Sequence, residues 1–282
     1  MLVIIRCLSN LSISKKVMKF GKEYTNYWSS AVNKSVDNTV IAGVNEAQHF
    51  LQYLGIKRDD RVLDLGCSFG RLYEALAGYS DQLFGIDPDS YAVEKARLQP
   101  YQEVRQGGAE DTGFDKDFFD GVFCWAVFDV VDHKKGLAEI NRILKIGGKV
   151  LLTGKNDNYF LDDNLAYKAE KNAFLKGFPN KFTDLKAVLD NFESLGFELE
   201  KLLLFPRRGD FGLLIFVDQG KNLQDNYFGY EYLMICHKVA DQDVTGLPGV
   251  HLESKFSKTA IERAAKAGFV SPKEFFESIG ID

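Results

Sequence analysis

The sequence predicts an α/β fold built on a parallel sheet with helices packed against both faces, a doubly wound arrangement. Three observations carry this. Short apolar, strand-like runs alternate with helix-like segments from about residue 41 to 155, the pattern of successive βαβ units. The run FDGVFCWAVFD is nearly continuous in apolar and aromatic residues, as a strand buried on both faces requires. The 282 residues, 45% hydrophobic with 23 Phe, suffice for a large core and exclude a disordered chain.

Residues 41–56 place Ile41, Val44, Ala47, Phe50, Leu51 and Leu54 at helical spacing, with Gly55 as the stop. RVLDLG is then a first strand halted by Gly66, GRLYEALAGY a helix, and QLFGID a second strand. SYAVEKARLQ is a helix capped by Asp89 or Ser90. YQEVRQG is a weaker third strand and FDGVFCWAVFD the fourth. HKKGLAEINRILKIGG sets Leu137, Ile140, Ile143 and Leu144 on one helical face, with Asp132 as cap and Gly147 as stop, and KVLLTG is a fifth strand. Beyond residue 155, TDLKAVLDNFESLGF reads as a helix from an N-cap at Thr183 to Gly196. ELEKLLLFP and YEYLMICHKV are two more strands, separated by an insertion at about 206–229. The tail, 241–282, contains an amphipathic helix, KTAIERAAKAGF, and shows no chemistry.

Charge and cysteine usage narrow the function classes. Thirty-five Lys+Arg against 40 Asp+Glu, a net charge of −5, give no basic footprint, so nucleic acid is a poor default partner. Cys7, Cys67, Cys124 and Cys236 are widely spaced with no CxxC pair. They read as reduced thiols of a cytoplasmic protein, with no disulfide framework and no zinc or other metal site. No stretch approaches the ~20 apolar residues of a membrane span. Residues 1–17 are too short in their apolar burst for a signal peptide. They read as an extension ahead of a natural start at Met18, or as a short real element.

An alternating sheet of this kind binds ligands beyond the carboxyl ends of its strands, where the loops 64–70, 87–89, 107–111 and 125–133 fall. The informative loop follows the first strand, Asp64-Leu65-Gly66-Cys67-Ser68-Phe69-Gly70-Arg71. Its glycines let a ligand approach the backbone ahead of a helix N-terminus. A carboxylate before the first glycine would repel a pyrophosphate, but it suits a ligand carrying an ammonium and a sulfonium. Asp87 ends the second strand, 21 residues after Gly66, where a carboxylate can accept hydrogen bonds from ribose hydroxyls. The turn alone is equally compatible with a structural turn or a dinucleotide site, and Asp87 with a helix cap.

Taken together, DLGCSFG, FGIDPDS, GGAEDTGF and INRILKIGGKVLLT, in that order and spacing, resemble the class I S-adenosylmethionine-dependent methyltransferases, in particular the group that includes the ubiquinone and menaquinone methyltransferases. The resemblance implies a Rossmann-like sheet of seven strands, mostly parallel with an antiparallel last strand, and S-adenosyl-L-methionine as cofactor with S-adenosyl-L-homocysteine as product. It implies a domain at 41–240, a lid at 18–40, and a C-terminal appendage. Carried over by position, Asp64 meets the methionine amino group. Gly66, Cys67, Ser68 and Gly70 give the close backbone approach, and Asp87 takes the ribose with Pro88 beside the adenine. Ala109 and Glu110 read the adenine edge, and Trp125 and Ala126 line the methyl end. Gly108 stands where relatives usually carry the adenine-binding Asp, and Ile146 where they carry a proline. Cys67 and Trp125 also read as plain packing residues.

Methyl transfer needs an aligned nucleophile and, for a hydroxyl, a proton acceptor. Asp129 and His133, in WAVFDVVDH, are the candidates for that base, although Asp132 and His133 also read as a helix cap and first turn. Tyr24, Tyr27 and Trp28 fit either an acceptor stack in the lid or a packing stripe. Arg207 and Arg208 fit an anion clamp on the acceptor or a solvated turn. The expected activity is methylation of a small molecule, with sugar and quinone-like acceptors both compatible. The rival readings are a non-catalytic cofactor-binding protein and a nicotinamide-dependent oxidoreductase.

Overall fold

The computed structural model describes residues 40–178, 180–219, 227–242 and 249–281. Tyr24, Tyr27, Trp28 and the segments 1–17 and 18–39 lie outside them. The seven long strands are β1 (Arg61–Leu65), β2 (Gln82–Asp87), β3 (Glu103–Gln106), β4 (Phe119–Cys124), β5 (Leu144–Asn156), β7 (Phe197–Phe205) and β9 (Glu231–Lys238). Two-residue strands β6 (Phe182–Thr183), β8 (Val217–Asp218) and β10 (Glu253–Ser254) trim the sheet. The order is β3-β2-β1-β4-β5-β9-β7-β8. The first five strands run parallel, and β9 lies antiparallel between β5 and β7. The expected doubly wound sheet of seven strands with an antiparallel last strand is therefore present, with three short additions.

Period-two alternation divides the apolar side chains between two faces. Leu63, Leu65, Val122, Leu152 and Met234 join the core under α4 (His133–Ile143) and α6 (Leu185–Asp190). Val62, Phe123, Leu151, Leu203 and Leu233 join the opposite core under α1 (Val40–Leu51) and α2 (Tyr73–Ala77). Burying one such aromatic or leucine contributes roughly 1.5–3 kcal/mol. α3 (Ser90–Ala96) is capped by Asp89, which accepts from Tyr91 N and Ala92 N, and Asp132 caps α4 by accepting from Lys135 N.

Local differences from the sequence reading have local causes. α2 spans five residues because Gly70, at φ +82°, holds the preceding turn out of the helical region. Thr183 does not cap α6; it belongs to β6, and Asp184 accepts from Ala187 N in its place. α6 ends at Asp190, short of Gly196. α5 (Asn164–Leu175), capped by Asp163, was not anticipated, because Lys and Asn interrupt its apolar stripe. The insertion after β7 forms α7 (Asp210–Leu213) and hydrogen-bonds β8 onto the edge of β7. In the tail, β10 pairs with β6, and α8 (Lys258–Lys266) and α9 (Pro272–Ile279) contribute Ala260 and Phe276 to a third cluster with Tyr159, Tyr167 and Tyr230.

Candidate active site

The loop after β1 is held by its own backbone. Gly66 N and Cys67 N both donate to Ile86 O, at 2.9 and 3.0 Å. Gly66 (φ +81°), Ser68 (φ +51°) and Gly70 (φ +82°) are all left-handed. A Cβ on Gly66 would lie 2.2 Å from Val127 Cγ2, so the loop after β4 presses directly on the first glycine. Ser68 N donates to Asp87 Oδ2 at 2.9 Å, and Asp89 N donates to Asp87 Oδ1 at 2.9 Å. One carboxylate thereby ties the glycine turn to the end of β2. Pro88 O accepts from Gln106 Nε2. The Cys67 thiol is buried with Val93, Ala96 and Val104, and burial pushes its pKa far above the usual range. That is a packing role.

Asp64 and Asp87 occupy adjacent strands and are 2% and 7% exposed. Burial raises each carboxyl to about 6. Opposing this are the Tyr101 hydroxyl and then Arg71 at Asp64, and at Asp87 the Asp89 and Ser68 N–H groups and then Arg71. Tyr101 donates to Asp64 Oδ2 at 2.8 Å with its ring edge-on to Tyr73. Sequence reading missed this partner, 37 residues away and placed ahead of β3 where no binding loop falls. Two desolvated carboxylates around a glycine turn suit a ligand that supplies an ammonium and ribose hydroxyls. The residues therefore fit S-adenosylmethionine.

The third loop is partly occupied. Glu110 Oε1 accepts from Asp132 N at 2.9 Å, anchoring the start of α4, and Gly108 bridges Asp111. Ala109 is 9% exposed and lies in the core cluster under α4. Trp125 is buried, stacked on Phe123 at 5.7 Å and tilted against Phe211 at 4.9 Å. This places its ring in the α1-side core. Ala126 (φ +56°) is exposed, and its N–H donates to Thr153 Oγ1 at 2.8 Å.

Each of the two candidate bases is already engaged by a side chain of a neighbouring strand. His133 is fully buried; Nδ1 lies 3.0 Å from Val131 O and Nε2 2.7 Å from Thr183 Oγ1. Burial lowers its pKa, and with both nitrogens engaged the ring fastens the loop after β4 and the start of α4 to β6. Asp129 ion-pairs with Lys155, whose ammonium also donates to Asn180 Oδ1 at 2.9 Å. Burial opposes the Lys155 charge, but Asp129 overcomes it and holds the ammonium above its ordinary pKa. Glu231 is the β9 register partner of Lys155, and burial raises its carboxyl. Among the described residues the buried Tyr230 hydroxyl has no hydrogen-bond partner. Sequence reading picked out neither Lys155 nor Glu231. Arg207 is an exposed surface residue, bonded to both Asp162 oxygens at 3.0 Å, and Arg208 N donates to Asp163 Oδ2. The first arginine of the expected anion clamp is therefore already paired.

This sheet order, with a buried carboxylate on each side of a glycine turn, defines the fold of the class I S-adenosylmethionine-dependent methyltransferases. Residues 63–152 match the family described as "Methyltransferase domain". An uncharacterized methyltransferase, YcgJ, of Bacillus subtilis is 30% identical over 134 residues, covering 45% of this chain and 52% of that protein. A demethylmenaquinone methyltransferase of Symbiobacterium thermophilum is 28% identical over 130 residues, 42% and 52% of the two chains. The chain thus spans about half the length of these curated relatives. A SAM-dependent methyltransferase structure from Thermotoga maritima, described as a possible histamine N-methyltransferase, superposes with TM-score 0.54 at 19% identity, covering 77% of this chain and 97% of that one. One from Archaeoglobus fulgidus gives TM-score 0.54 at 15% identity over 75% and 100%. No helix among the described residues is long and apolar enough to cross a membrane.

Proposed function

We propose that this chain transfers a methyl group from S-adenosylmethionine to a small-molecule acceptor. The observation that carries the reading is the pair of buried carboxylates, Asp64 and Asp87, on either side of a glycine turn that Val127 closes. When bound, the cofactor supplies an activated methyl carbon. The protein supplies alignment. Asp64 accepts from the amino group, Asp87 keeps lone pairs for the ribose hydroxyls, and Pro88, Ala109 and Glu110 flank the adenine. Ala126 and Val127 stand at the methyl end. The domain spans 41–240, and the insertion after β7 and the C-terminal appendage shape the acceptor pocket. Relatives named for ubiquinone biosynthesis and for demethylmenaquinone support a ring-bearing metabolite.

Calorimetric titration with S-adenosylmethionine, S-adenosylhomocysteine and NADH tests this. Both adenosyl ligands are expected to bind and NADH is not; binding of NADH alone would install the oxidoreductase reading. The pH dependence has a fixed sign. The free carboxyls hold their protons up to about pH 6, and the ligand needs them ionised. Affinity is therefore flat above pH 7 and falls as pH drops through 6, by about tenfold per unit for each proton displaced. Affinity that rises on acidification would remove both carboxylates from the site.

A further inference from the structure

Beyond the cofactor loops, the same sheet edge carries a second polar cluster built from β5, β9 and the turn after β4. Contacts join it to the first. Val127 packs on Gly66, and two residues later Asp129 grips Lys155. Thr153, which accepts from Ala126 N, lies one alternation below Lys155 on the same strand. Lys155 faces Glu231 across the antiparallel β5–β9 register, and such partners bring their Cβ atoms to roughly 4.5–5.5 Å. Asp129 and Asn180 take two of the three ammonium protons. Glu231 is half-buried at the start of β9, and among the described residues its carboxylate accepts no hydrogen bond. The Phe205 ring, a register partner of Glu231 on β7, packs edge-on to Phe211 at 4.6 Å and gives the cluster an aromatic flank.

This arrangement selects a chemistry. An anionic acceptor would face both Asp129 and Glu231, and a cationic one would face Lys155. A neutral hydroxyl satisfies both unfilled positions, accepting from the third Lys155 proton and donating to Glu231. Resting on the methyltransferase reading, we propose that the acceptor nucleophile is a neutral hydroxyl whose proton passes to Glu231, with Lys155 holding its oxygen. In the step, the oxygen forms a bond to the methyl carbon and the carbon–sulfur bond breaks, its electron pair staying on sulfur. The sulfonium becomes a thioether, and the hydroxyl proton moves to the Glu231 carboxylate and then to solvent. Asp129 is a positioning residue for Lys155. The hydroxyl sources, a phenol and a sugar, share this chemistry.

The experiment pairs S-adenosylhomocysteine titration with turnover on catechol, glucose, histamine and benzoate, using the full chain and its Glu231→Gln and Glu231→Asp variants. The expected result is turnover on catechol or glucose, lowered about 100-fold or more in kcat by Glu231→Gln and partly restored by Glu231→Asp. Cofactor-product affinity stays within about twofold, the margin expected if Glu231 touches only the acceptor. Failure of the wild type to bind S-adenosylhomocysteine would defeat the methyltransferase reading itself. Normal binding with turnover only on histamine or benzoate, with turnover on no compound, or with full activity in Glu231→Gln would overturn the role given to Glu231.

Discussion

The two halves of the sheet edge are built on opposite principles. At β1–β3, the groups proposed to hold the amino group, ribose and adenine come from one span of fewer than 50 residues, and the backbone does most of the shaping, through left-handed turns and N–H groups donated to Ile86 and Asp87. At β4, β5 and β9 the cluster is assembled from side chains at 129, 155, 180 and 231, with Lys155 and Glu231 brought together by sheet pairing and Asp129 and Asn180 by bonds to the ammonium. The first half is stiff and made of turns; the second is charged and made of long-range neighbours. A fixed ligand suits backbone shape, whereas a particular acceptor is read by side chains that change one at a time.

The sharpest way to break this contrast is at Gly66. A methyl there meets Val127 and forces a left-handed alanine, which should cost about 2–3 kcal/mol and abolish S-adenosylhomocysteine binding. Gly177→Ala has the same backbone strain, φ +82°, with open space around it, and should cost only about 1 kcal/mol. Urea denaturation of both variants checks the pair, and equal losses would show that Val127 does not close the turn. Next comes the charged half. Asp129→Asn strands a largely buried ammonium and should cost about 3 kcal/mol, whereas Asp129→Leu combined with Lys155→Met should lie near neutrality. A double-mutant cycle reads the coupling; additive losses would mean the pair is not one unit. The smallest effect belongs to Arg207. Its pair with Asp162 is exposed on both sides, so Arg207→Ala should change neither melting temperature nor turnover. A large loss of turnover would return Arg207 to the acceptor.

The same contrast explains what could be read from the chain. Helices, strands and the cofactor loop follow from patterns within a few residues: the continuous apolar run of β4, the glycine spacing at 66–70, and the caps at Asp89 and Asp132. Tyr101 was invisible because its contact with Asp64 crosses from the far end of β3. His133 and Asp129 were selected by position after β4, and the sequence has no means of showing that Thr183 and Lys155 occupy them. Lys155 and Glu231 carried no local signal: each looks like an ordinary charged residue near a strand end, and only the antiparallel insertion of β9 makes them neighbours. α5 was missed because its buried face includes Glu170 and Lys171, which break the apolar period.

That placement of β9 makes strand register a determinant of selectivity. Side chains alternate along a strand, so a one-residue slip would carry Glu231 to the other face and set Tyr230 or Tyr232 opposite Lys155. Both neighbours of β9 are themselves strands, and its core residues from Tyr232 to Cys236 are fully buried, which locks that register against drift. In effect, the counting of residues along one antiparallel strand, set by packing along its whole length, decides which functional group an incoming molecule meets.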